Sequence, residues 1–193
     1  LVRCYKTHPF GRLPPELQEF ARRQLDARHP PSDEMRCLTM LARVGDEEDW
    51  NDRRRSLGHQ AVPLPTTSVV ERAPMIAQMF RALGIQLEHI VAPSASIVHD
   101  LEGKSYGVFH VRDARNSPHI PAQDFVQQHK VRSVLGFGGA LKGGDLFAFI
   151  LFAKVPIPPA SAERFRTIAL HAKSSLFYYG ADKVFEPAPA SAA

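Results

Sequence analysis

With 193 residues, 44% of them hydrophobic and 23% charged, the chain has the composition of one globular α/β or α+β domain. Its net charge of +4 is scattered, which argues against a nucleic-acid interface, and no apolar run approaches the roughly 20 residues of a membrane helix. Cys4 and Cys37 lie far apart and outside any CxxC spacing, which excludes a zinc ribbon or a disulfide framework and points to a reducing cytoplasm.

Residues 1–13 read as an irregular lead-in. Pro14-Pro15 opens a helix with Leu17, Phe20, Ala21 and Leu25 on one stripe, and His29-Pro30-Pro31 stops it. Cys37 to Ala42 is an apolar run of strand length. Residues 45–68 follow as a long charged loop holding Trp50, three successive arginines and Gly58-His59. Such a segment is either a solvated surface loop or a lid that packs over a pocket. The presence of Trp50 and His59 favours packing.

Val69 to Leu83 reads as a helix, with Pro74 inside or opening it and Gly84 ending it. The alternation from Ile85 to Val91 predicts a strand, as does Tyr106 to Arg112. Residues 93–100 read as a turn or short helix, and Ala122 to His129 as a short helix. Val131 to Phe152 is a hairpin: two apolar runs flank Lys142-Gly143-Gly144-Asp145, whose glycines tolerate positive φ and whose charges want water. Apolar residues throughout Leu146 to Phe152 predict a central strand covered on both faces. A long helix from Ala160 to Tyr178, capped by Ser161, closes the pattern. Phe165, Ile168, Ala169, Ala172 and Leu176 form its inner stripe. Residues 1–182 are expected to form one domain and 183–193 a disordered tail or linker. A first residue that is leucine is expected of a segment cut from a longer protein.

Catalytic signatures are sparse. There is no GxSxG and no phosphate loop: Gly136-Phe137-Gly138-Gly139 lacks the Lys-Ser/Thr that holds phosphate and metal. Cys37 sits in an apolar run where a thiol is inert. The nine histidines form neither HxH nor HExxH, so His59, His110, His119 and His129 converge only through the fold. One histidine suffices as an axial ligand, which leaves haem open as a cofactor.

Three stretches, WNDRRRSLGHQAVPLP, YGVFHVRDARNSPHIPAQDFV and VRSVLGFGGALKGGDLFAFILF, together resemble a GAF-like sensory region. Such regions occur near the N-terminus of bacterial histidine kinases and other multidomain signalling proteins. The resemblance covers most of the chain and implies a central antiparallel sheet flanked by helices. It also implies a regulatory role: sensing a small ligand or another signal, passing it to an attached output domain, and pairing as a homodimer through the terminal helices. Leu170, Phe177 and Tyr178 would otherwise face water there. No GAF ligand contact maps onto residues 45–68. The rival readings are a small-molecule enzyme on the same fold, which requires His59, His110 and Asp113 to cluster, and a purely structural dimerisation module.

In a GAF-like fold the pocket lies on one face of the sheet under the connecting loops. Strand alternation puts Phe109 and Val111 on one face and Val108, His110 and Arg112 on the other. The polar pair marks either a solvated face or a pocket in which arginine grips an anion. The candidate ligand-binding residues are Trp50, His59, Tyr106, His110, Arg112, Arg132 and Phe137. The expected pocket lies between the 45–68 loop, the 106–112 strand and the hairpin glycines.

Overall fold

The computed structural model describes residues 1–93, 107–141, 144–177 and Phe185. Its strands are β1 (Val2–Pro9), β2 (Arg36–Val44), β3 (Ala61–Leu64), β4 (Val108–Val111), β5 (Ser133–Ala140) and β6 (Leu146–Ala153). They form one antiparallel sheet in the order β3-β2-β1-β6-β5-β4. The protein is α+β, with helices on both faces of this sheet. β6 is apolar at every position because β1 and β5 flank it and both its faces are covered.

The expected lead-in is instead β1, a central strand paired with both β2 and β6. Its polar letters concealed it: Lys6, Thr7 and His8 are all buried. Each has a local reason or cost. Thr7 Oγ1 accepts from the Leu146 amide at 2.8 Å. Lys6 Nζ lies 2.6 Å from Asp145, which Arg36 also meets at 2.7 Å. Asp145 of the hairpin turn therefore does not face water as expected; it ties the turn to β1 and β2. A half-buried carboxylate shared by two cations satisfies charges that would be costly alone.

One face carries the main core. α2 (Thr67–Glu71), α3 (Pro74–Ala82) and α4 (Leu87–Val91) pack there on Tyr5, Leu38, Val134 and Ile150. Thr66 caps α2 by accepting from the Val69 amide. Pro74 starts a separate helix, so the expected single helix is two. Gly84, at φ 74°, ends α3 where a side chain would be strained. The strand expected over Ile85 to Val91 is helical from Leu87 because Leu87 and Ile90, three residues apart, both enter the core. α5 (Gln123–Gln128) is the short helix before the hairpin.

The opposite face is covered in two patches. α1 (Pro15–Arg22) buries Leu17 and Ala21 with Cys37 and Ala61. Phe185, within the segment expected to be a tail, packs on this patch, 5.2 Å from the His8 ring. α6 (Pro159–Glu163) and α7 (Phe165–Phe177) cover Leu135, Phe137 and Phe149. α6 begins at Pro159 without a side-chain cap, so Ser161 does not play that role. Ala169 is buried, but Ile168, expected inward, is 43% exposed: the inner stripe is Phe165, Ala169 and Ala172. Among the described residues no helix is long and apolar enough to cross a membrane.

Candidate functional site

A cavity of about 290 Å³ opens on the main-core face. β1 supplies Arg3 and Tyr5 to its floor, β2 Leu38, β3 Val62 and β6 Ile150 and Phe152. The start of α3 and the stretch from Ile120 to Phe125 form its walls, and His59 stands at its mouth. Alternation along β1 sends Arg3 and Tyr5 here while Cys4, Lys6 and His8 serve the other side. The volume lies near the lower end of the roughly 300–1,000 Å³ typical of small-molecule sites.

Arg3 is the unusual member. Its guanidinium carbon sits 5.3 Å from the centre of the Phe152 ring and 6.0 Å from that of Phe125. Contact with aromatic faces favours a cation but uses none of its N–H groups. The Arg3 guanidinium is close enough to the Tyr5 hydroxyl to favour its ionised form, and Arg3 Nε is buried without a partner. Burial raises the Tyr5 pKa, opposed by the positive charges of Arg3 and Arg43. His59 is held below its usual pKa, first by desolvation and then by Arg3 and Arg43. No acidic side chain lines the cavity among the described residues.

The predicted site residues divide among several places. The 45–68 segment does fold back on the body: Trp50 is 9% exposed, on a short 3-10 turn, and its ring lies 4.6 Å from His129 and 5.9 Å from Phe125. It borders a smaller neighbouring cavity of about 170 Å³, which shares Phe125 and Phe152 with the main one. His59 lines the main cavity itself. Tyr106 lies outside the described residues.

The other candidates are elsewhere. Phe137 stacks on Phe149 at 5.0 Å beneath α7, on the opposite face of the sheet, and is a core residue there. His110 shares that face with Val108; burial lowers its pKa and the Ile157 backbone opposes the shift. Arg112 is exposed. Arg132 is half-buried near Asp113, away from the cavity. The expected pocket at the hairpin glycines is thus displaced through the sheet. Side chains of β4 on the His110 side meet α6 and α7, not the cavity. The face assignment along β4 is nonetheless as alternation requires, since Phe109 and Val111 enter the main core.

A haem at this cavity would have to use His59 as its axial ligand. Of the four candidate histidines only His59 reaches the cavity, whose volume suits a smaller molecule; His129 is beside Trp50, His119 is exposed and His110 is across the sheet. Among the described residues no group of three or more His, Cys, Asp or Glu is arranged to hold a metal ion.

Arg3, Tyr5, Phe125 and Phe152 are the site residues that sequence reasoning missed. The available signal was the two-residue alternation Arg3, Tyr5, Thr7, masked by polar residues on both faces of the strand. No protein-family model, curated protein or solved structure matches this chain.

Proposed function

We propose that this chain is a regulatory sensing domain of GAF-like architecture, without catalysis of its own. It binds a small molecule in the main-core cavity and passes occupancy to an attached output domain of a bacterial cytoplasmic signalling protein. The carrying observation is the cavity's place on the sheet. β6 lends Ile150 and Phe152 to the cavity and Phe149 and Leu151 to the α7 contact on the other side. A ligand that shifts β6 acts on the seat of α7 through one strand. Close packing makes such a layer respond as a unit.

The sheet and its flanking helices suit the fold class that the resemblance implies. The homodimer part of the proposal rests on the resemblance; on α7, Ile168 and Leu170 are 43% and 49% exposed but, two residues apart, lie on different faces of the helix. The enzyme alternative loses its specific support. His59 and His110 belong to opposite faces of the sheet, and Asp113 is engaged by Arg115 at 2.5 Å. Both thiols are pushed up to about 12 by burial, which leaves no thiolate nucleophile at neutral pH.

The test is hydrogen–deuterium exchange on the chain with and without a ligand found by screening small metabolites for thermal stabilisation. Protection is expected at β1, β6 and α3 and, across the sheet, at α7. Stabilisation by no metabolite, or protection that never reaches α7, would overturn the sensing proposal.

A further inference from the structure

The cavity's chemistry is lopsided. Twelve of its fifteen lining residues are apolar; the exceptions are Arg3, Tyr5 and His59. Arg3 makes no ion pair among the described residues, and the acids that act on neighbouring Arg43 are Asp49 and Asp52. In the loop above, Asp49 pairs with Arg55 and Asp52 with Arg54, so their charges are already engaged. Arg43 adds a second cation close by and spends its Nε on the Trp50 carbonyl at 3.1 Å. A half-buried guanidinium with a buried, unpartnered Nε and two aromatic rings beside it lines this mostly apolar space. Leaving such a group unpaired is costly, and a carboxylate meets its planar fork with two parallel hydrogen bonds.

Resting on the sensing reading of this cavity, we propose that its ligand is a small organic monocarboxylate with an apolar body. The carboxylate pairs with the Arg3 guanidinium and accepts from the Tyr5 hydroxyl. The apolar body fills the space between Val62, Ile76, Ile120 and Ile150. One charge is the right number. Helix α3, whose start borders the cavity, has Pro74 at its first turn and so offers no amide donor at that position. A phosphate dianion would find one guanidinium and a hydroxyl where it needs more donors.

The test measures dissociation constants of the full chain for matched pairs by titration calorimetry or ligand-observed NMR. The pairs are phenylacetate with phenylacetamide, indole-3-acetate with its amide, and hexanoate with hexanamide. At least one acid is expected to bind about 10- to 100-fold more tightly than its amide, the range for a hydrogen-bonded charged pair in a half-buried site. Arg3→Met is expected to erase that ratio while leaving amide affinity within a few-fold, and Arg3→Lys to keep part of it. Should Arg3→Met fail to fold by circular dichroism, the wild-type ratio and Tyr5→Phe, expected to weaken acid binding several-fold, decide. Equal binding of every acid and its amide, or a preference that survives Arg3→Met, overturns the carboxylate assignment and leaves the cavity as a ligand site. If none of the six compounds binds at millimolar concentration, the assignment falls; a screened metabolite of another class that binds would then keep the sensing reading alive.

Discussion

His8 makes the folded state sensitive to mild acid. Its ring is 1% exposed on the α1 side of the sheet, flanked by Phe185, with neither ring nitrogen in a well-formed hydrogen bond. Burial, reinforced by Lys6 and opposed by Asp145, lowers its pKa from 6.5 to about 4. Between those values the unfolded chain binds a proton that the folded chain refuses. The contribution is therefore fully present above pH 6.5 and is lost as pH falls towards 4. The preferential protonation of the unfolded form costs about 2.5 kcal/mol of stability between pH 7.5 and 4.5, with folded and unfolded pKa values of about 4 and 6.5. The assay is urea unfolding of wild type and His8→Phe at half-unit steps across that range. The substitution should flatten the pH dependence whatever it does to stability at pH 7.5. His59→Gln and His110→Gln are the controls for the two other histidines with lowered pKa, both less buried and with smaller expected effects. The exposed carboxylates Asp26, Asp46, Asp52 and Asp113 have depressed pKa values, so their contributions fade mainly below this window. Parallel curves for wild type and His8→Phe would refute the reasoning.

Replacing Asp145 by Ala leaves buried Lys6 and half-buried Arg36 without their shared carboxylate and should cost about 3 kcal/mol in urea unfolding. A loss under 1 kcal/mol would mean that solvent already screens the pair. Neither Cys4 nor Cys37 should react with a thiol reagent at pH 8 until the chain is unfolded, because both are buried with pKa values of about 12. Gly138→Ala places a methyl group 2.1 Å from the Phe147 carbonyl oxygen, a backbone atom that cannot step aside. It should cost about 3 kcal/mol or more, whereas Gly136→Ala meets the Met79 and Phe109 side chains at 3.3 Å and should cost less. Comparable melting temperatures for the two variants would contradict that ordering.

The sequence by itself determined the elements whose burial is uniform or strictly periodic. The β5–β6 hairpin was readable because a strand covered on both faces needs no polar letters. α1 was readable because its stripe recurs at helical spacing between two proline signals. The faces of β4 followed from alternation alone. Only the tertiary structure decided where the polar residues of β1 go. Lys6 is buried because Asp145, 139 positions away, pairs with it, and no local pattern reports such a partner. Long-range pairing of β1 with β2 and β6 makes it central and brings Arg3 and Tyr5 to the cavity with Phe125 and Phe152. It also set the site apart from His110, Arg112 and Phe137. Alternation tells which residues share a face of one strand, but which face receives the cavity depends on the helices that cover the sheet. Here α6 and α7 take the His110 face, and the opposite face, beneath α3 and α5, keeps the space a ligand can enter.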